Sequence, residues 1–306
     1  MNKPLLAALA TLAVTGVGVA PAAASPASPA APASSAAASP AAPASSAAAS
    51  PAAPASSAAP ATRAVSFAGT VALSNCSGSV VRLPASEDDD PALVMSNGHC
   101  LETGFPAAGE VVVDQPSSRT FGLLNASGSR VGTLRAGKIA YATMTDTDVS
   151  LYQLTSTYAQ IRGSYGISPL TLDDSRPAAG TAITVVSGYW KRTYACDVDG
   201  FAYRLKEGEW TWKDSVRYTY ACQTIGGTSG SPVVDNATGE VVAVNNTGNE
   251  DGGRCTDNNP CEVAEDGTVT VREGINYGQQ TYRIPGCFGL DNKLDLSRSG
   301  CALPKP

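Results

Sequence analysis

The 306-residue chain has a single histidine, His99. Any site that needs two imidazoles is therefore excluded, including histidine-rich zinc centres and the HExxH type of metal site. Basic side chains are in the minority, 21 Lys and Arg against 27 Asp and Glu, for a formal net charge of −6. A nucleic-acid or anionic-membrane binder needs a basic face, and this balance argues against one. The eight cysteines contain no CxxC pair, so metal-ligand spacing is missing too. After residue 24 no apolar run is long enough to span a bilayer. From Ser25 to Ala61 every residue is Ala, Ser or Pro, which leaves no large side chains with which to build a core.

Residues 1–24 read as a secretory signal. Lys3 supplies the positive start, Leu5 to Val19 the apolar stretch, and Ala22-Ala23-Ala24 a small-residue cleavage site. Residues 25–64 read as a low-complexity linker or pro-segment. Ser28–Ala38, Ser39–Ala49 and Ser50–Pro60 repeat one eleven-residue unit, and its prolines favour extended, solvated chain. All eight cysteines lie between Cys76 and Cys301. An even count in an exported chain implies four disulfides, among 105 pairings.

From Val65 the pattern changes to short Val-, Ile-, Thr- and Tyr-rich runs between turn residues. Examples are Val65–Leu73, Gly78–Leu83, Glu110–Asp114, Thr120–Leu124, Thr181–Ser187, Ser231–Val234, Glu240–Asn245 and Thr268–Val271. Strand-length runs at roughly ten-residue intervals predict an all-β domain, an antiparallel sandwich or barrel, over 65–306. No long amphipathic helix is evident, and Ser168–Gly180, with two prolines, is the candidate crossover.

Three strings carry chemistry. In Gly226-Gly227-Thr228-Ser229-Gly230-Ser231-Pro232 a serine sits between glycines at the head of a Val-rich run. Glycines permit a sharp turn and a close substrate carbonyl, and the N–H groups of Gly227 and Ser229 can then face one oxyanion pocket. A serine nucleophile needs a base, and His99 is the only imidazole on offer. The base needs a carboxylate to hold its tautomer. Asp148, in Thr147-Asp148-Val149-Ser150-Leu151-Tyr152, has apolar neighbours to anchor it; Asp146, between two threonines, is the runner-up. The order His, Asp, Ser is that of the chymotrypsin type.

The chain resembles the trypsin/chymotrypsin-fold serine peptidases, near the secreted bacterial branch that includes glutamyl endopeptidases. Cys76-Ser77-Gly78-Ser79 is similar to the family's Cys-x-Gly-Ser strand, and Asn97-Gly98-His99-Cys100 to its Ala-Ala-His-Cys box. Asp148-Val149-Ser150-Leu151 is similar to its Asp-hydrophobic-Ala-Leu strand, and Gly227–Pro232 to its nucleophile loop. Ser187-Gly188-Tyr189-Trp190 and Gly274–Gly278 match two further segments in order. The resemblance implies two packed antiparallel β-barrels, about 65–165 and 178–286, with a triad of His99, Asp148 and Ser229 between them. It also implies a Cys76–Cys100 disulfide beside the histidine.

The departures from the family narrow the expectation. Thr228 stands where trypsins carry an aspartate that pairs with a freed N-terminus, and Gln223 where they carry a pocket aspartate. Asn245 stands in the strand where glutamyl endopeptidases carry a histidine. A polar, uncharged pocket of Gln223, Thr224, Asn246 and Gly274 is expected. Nearest-neighbour pairing joins Cys196–Cys222, Cys255–Cys261 and Cys287–Cys301, the last pinning a C-terminal tail; Cys222–Cys255 is the rival. Each bridge contributes about 2–4 kcal/mol. Glu87–Asp90, Asn249–Asp251 and Asp257–Asn259 read as solvated acidic loops rather than Ca²⁺ sites.

The expected function is a secreted serine endopeptidase, monomeric and extracellular or at the cell wall. It acts on protein or peptide substrates, with no cofactor, metal, nucleic acid or, after signal cleavage, membrane. The alternatives are a catalytically inactive binding module on the same fold and an esterase with the same triad. Activity is expected to fall below about pH 6–7 as the imidazole protonates.

Overall fold

The computed structural model describes residues 64–306; the signal and almost all of the Ala/Ser/Pro tract lie outside the described residues. The first half forms β1 (Thr70–Ala72), β2 (Ser77–Arg82), β3 (Pro91–Ser96), β4 (Val111–Pro116), β5 (Thr120–Leu124), β6 (Arg130–Thr143) and β7 (Val149–Thr157). Their β-branched residues suit a pleated, half-buried surface. The hydrogen-bonded order β1-β5-β6-β7-β3-β2 closes through the β1–β2 pair, giving a six-stranded barrel. Val71, Val80, Val94, Phe121, Leu123 and Tyr152 fill it. The Val65–Leu73 run is a strand only over Thr70–Ala72, because Thr70 N–H turns back to the Phe67 carbonyl at 2.9 Å.

After β7 comes α1 (Tyr158–Tyr165), the one α-helix among the described residues. Thr157 caps it by accepting from Gln160 N–H, Gln160 returns the bond to Thr157 N–H, and Gly166 ends it in a left-handed conformation. The 168–180 segment is the expected crossover and carries the short β8 (Leu170–Thr171), parallel to β2.

The second half forms β9 (Ala182–Ser187), β10 (Arg192–Glu207), β11 (Trp210–Tyr218), β12 (Pro232–Asp235), β13 (Val241–Gly248), β14 (Cys261–Val263), β15 (Val269–Val271) and β16 (Asn276–Gln280). The order β11-β16-β13-β12-β9-β10 closes through β10–β11, and the β14/β15 hairpin extends from β10. The fold is therefore all-β, built on two antiparallel barrels. One apolar cluster joins them: Leu93, Met95 and Leu151 from the first meet Val186, Val234 and Val244 from the second. The C-terminal tail completes this cluster. Leu303 is buried in it, and Tyr141 Oη–H donates to the Pro304 carbonyl at 3.0 Å.

Four disulfides close: Cys76–Cys100, Cys196–Cys222, Cys255–Cys261 and Cys287–Cys301. The crossed Cys222–Cys255 alternative does not form. Buried Arg119 braces the first bridge by donating to the Cys100 carbonyl at 2.6 Å and to Asn75 Oδ1 at 2.6 Å.

Candidate active site

β3 ends in a single 3-10 turn, Gly98–Cys100, that carries His99. Asp148 lies immediately before β7, fully buried. Its Oδ1 accepts the backbone N–H groups of Gly98 and His99 at 2.6 and 3.1 Å, and its Oδ2 lies 2.6 Å from His99 Nδ1. The carboxylate thus fixes both the turn and the ring on it. Asn97 Nδ2 donates to the Asp148 carbonyl at 2.8 Å, and Ser150 Oγ–H to the Asn97 carbonyl at 2.8 Å. Asp146 is elsewhere. Its carboxylate faces solvent and pairs with Lys213 at 2.6 Å.

Ser229 comes from the other barrel, three residues before β12. Its loop is held at several points. The Ser229 carbonyl accepts from Ser77 N–H at 2.8 Å, Gly230 N–H donates to the Asn245 carbonyl at 2.9 Å, and Thr228 Oγ1–H donates to the Ile225 carbonyl at 2.6 Å. Gly230 has φ +80°, and a Cβ there would collide with the Ser77 carbonyl and Ser96 Oγ. Gly230→Ala is expected to destabilise the protein by about 2–4 kcal/mol, from strain and overpacking together. Thermal unfolding reads this as a fall of roughly 5–15 °C; an unchanged Tm would show that the loop relaxes.

His99 and Ser229 line one cavity of about 420 Å³ between the barrels. The Ser229 hydroxyl donates to the Asn246 carbonyl at 3.3 Å, and among the described residues no hydrogen bond joins it to His99. Phe105, Met144, Trp210 and Trp212 form the apolar wall. Trp210 is seated by donating Nε1–H to the Pro106 carbonyl at 2.9 Å.

Two of the four expected pocket residues line this cavity, Thr224 and Asn246. Asn246 is 4% exposed with neither amide atom partnered. Gln223 and Gly274 do not line it. The Gln223 amide turns away and donates to the Tyr220 carbonyl at 2.6 Å. Asn276 from β16 stands in the wall instead, accepting from Thr224 Oγ1–H at 2.7 Å. The wall is not uncharged either, since Glu207, Glu250 and Asp257 are part of it. Glu207 reaches the cavity from the end of β10, and no local string announced it; Glu250 and Asp257 come from the two later acidic loops, both exposed, that also border the cavity. Of the acidic loops, Glu87–Asp90 has Asp88 engaged by Arg82 and Arg162.

A family profile described as a trypsin-like peptidase domain matches residues 76–244, more than half of the chain. The chain belongs to this family. No curated protein matches it in sequence. Solved structures of similar fold include the active form of the Rv3671c protease of Mycobacterium tuberculosis, at 16% identity and TM-score 0.42, covering 78% of this chain and 82% of that one. Another is AL20, a thermostable serine protease from an extremophilic microorganism, at 15% and 0.41, covering 70% and 90%. A third is the MamO protease domain of Magnetospirillum magneticum, at 12% and 0.43, covering 69% and 91%.

The electrostatics of the cavity centre on His99. Burial lowers its pKa, but the charge and hydrogen bond of Asp148, with the nearby charge of Glu207, outweigh burial and raise it above the ordinary 6.5. Burial raises the Glu207 carboxyl as well, opposed mainly by the neighbouring Thr247 hydroxyl and by the Asn258 N–H, which donates to Glu207 Oε1 at 2.8 Å. An imidazole that is to accept a proton must be neutral, so any activity that uses His99 as a base falls as pH drops through its pKa. Glu207→Gln removes a charge that favours imidazolium. The acid limb of kcat/KM should therefore move to lower pH, and a limb that stays or rises would show that Glu207 does not face the ring.

Proposed function

We propose that this trypsin-like peptidase is a serine endopeptidase that works through Ser229, His99 and Asp148. Ser229 Oγ attacks the scissile carbonyl and forms the acyl-enzyme. His99 Nε2 takes its proton and returns it to the leaving amine. Asp148 holds the Nδ1–H tautomer and stabilises the imidazolium. The N–H groups of Gly227 and Ser229 bind the oxyanion. The observation that carries this reading is the buried Asp148 locking the His99 ring at 2.6 Å on the wall of the cavity that Ser229 shares. In this mechanism the serine hydroxyl leaves the Asn246 carbonyl for the imidazole, and such bonds commonly tighten only when substrate is present.

One observation favours a second reading, a non-catalytic binding module: the Ser229 hydroxyl is engaged by Asn246 rather than by the base. A fluorophosphonate probe separates the two. The peptidase forms a covalent adduct on Ser229 at neutral pH and loses it on denaturation before labelling. A folded, mature protein that takes no label on Ser229 is the binding module.

We further read residues 1–24 as an export signal, 25–64 as a tether or pro-segment and 65–306 as the peptidase domain, secreted and acting as a monomer. Four disulfides support an oxidising destination. No helix among the described residues is long and apolar enough to cross a membrane. The placement near the glutamyl-endopeptidase branch comes without its Glu-selecting histidine. Asn245 in that position is buried and donates to Thr228 Oγ1 at 3.1 Å, which makes it a support of the nucleophile loop.

A further inference from the structure

The backbone N–H groups of Gly226, Gly227 and Ser229 donate to no group among the described residues, and the last two are the pair expected to face an oxyanion. In a trans peptide the N–H points opposite to the C=O of the same plane. Whatever holds that carbonyl therefore aims the N–H. The Thr228–Ser229 peptide is held twice from behind: the Thr228 carbonyl accepts from Ser231 N–H at 3.0 Å and from Ser231 Oγ–H at 2.6 Å. The Gly226–Gly227 peptide has one hold. Trp190 Nε1–H donates to the Gly226 carbonyl at 2.8 Å.

That single bond restrains a peptide that is otherwise easy to rotate. Glycine flanks it on both sides, and glycine tolerates either sign of φ. Space around Gly226 is open, and Gly227 sits at φ +87°. Trp190 is 49% exposed, and it is anchored through its backbone and a neighbouring ring. Trp190 N–H donates to Ser187 Oγ at 3.3 Å, and the ring packs edge-on against Tyr189, centroids 4.9 Å apart. Ser187 Oγ lies 3.0 Å from buried Ser77 Oγ, which also accepts from Tyr189 N–H and donates to the Gly227 carbonyl at 3.2 Å. The turn after β9 and the nucleophile loop thus share one hydrogen-bonded frame.

We propose that Trp190 is a positioning residue for the oxyanion site: its indole N–H holds the Gly226–Gly227 peptide with the Gly227 N–H turned into the cleft. The proposal rests on the serine-peptidase reading of the cleft. Trp190 touches no reacting atom in this role and acts through the peptide.

Trp190→Phe keeps an aromatic ring and removes the donor. With a peptide amide substrate, kcat should fall about 10- to 100-fold, less than the ~10²–10³ of losing a donor outright, because a freed peptide still visits the productive orientation. KM should stay within about twofold, since the loss is confined to the transition state. The acid limb of the pH profile should not move, because the Asp148–His99 pair is untouched. Trp190→Leu should behave alike, and melting curves check that both variants fold. A crystal structure of Trp190→Phe supplies a readout independent of activity: the Gly226–Gly227 peptide should be rotated or split between two orientations. Unchanged kcat, a loss wholly in KM, or an unrotated peptide overturns the proposal. If the parent protein cleaves no peptide, the peptidase reading fails, and the peptide's orientation alone decides the role of Trp190.

Discussion

Replacing Ser229 by Ala should lower peptide turnover by about 10⁴–10⁶-fold while leaving the fold intact. The two halves of that expectation have separate physical origins. In the proposed mechanism, losing the hydroxyl removes the nucleophile and the acyl-enzyme and leaves only binding and oxyanion stabilisation. Stability has little to lose, because the hydroxyl makes one long hydrogen bond, 3.3 Å to the Asn246 carbonyl. Partly buried positions with so little bonding change stability by about 0.5 kcal/mol or less, roughly 2 °C in Tm for a domain of this size. Steady-state assays on a quenched peptide, with a melting curve beside them, test both halves. Residual turnover near one per cent of the parent would remove Ser229 from the mechanism.

The second large effect is expected at Asp148. Asp148→Asn should reduce kcat by about 10⁴-fold with little change in KM, through the tautomer of His99. The argument runs through the two carboxylate oxygens. Oδ1 accepts two backbone N–H groups, from Gly98 and His99, so an asparagine keeps its oxygen there. Its NH₂ group then faces His99 Nδ1, where Oδ2 had been 2.6 Å away. A donor opposite Nδ1 forces that nitrogen to accept and places the ring proton on Nε2. The base then presents a proton to Ser229 instead of a lone pair. Asp146→Asn is the control, expected to keep activity within about twofold because its carboxylate pairs with Lys213 at the surface. Equal losses in the two variants would contradict the tautomer argument.

What could be read from the sequence follows from how local each feature is. His99 had no competing imidazole, and Asp148 and Ser229 each sat in a distinctive short string. The disulfides could be read because each half-cystine pairs with its nearest neighbour along the chain. The cavity wall could not be read this way. Gln223 was expected to face substrate, but the path of its own loop brings the Tyr220 carbonyl within 2.6 Å of its amide. Asn276 and Glu207 enter the cavity from β16 and β10, and only strand pairing over long separations brings them there. The helix α1 did leave a signal. Thr157, Gln160 and Gly166 spell its capping box and its end, yet its eight residues show no apolar stripe to draw attention. The strand from Val65 was overextended because alternation continues through residues that turn at Phe67 and Gly69.

The apolar cluster that joins the barrels has a consequence for how the protein comes apart. Leu93 and Leu151 share their packing with Val186, Val234 and the tail's Leu303, so neither half has a complete interior without the other. Melting should proceed in one cooperative step, seen as a single calorimetric peak. A backbone nick within 173–180, on the exposed connection between the halves, should leave the two pieces associated. Expressed apart, each piece should aggregate, and mixing them from denaturant should regenerate one particle.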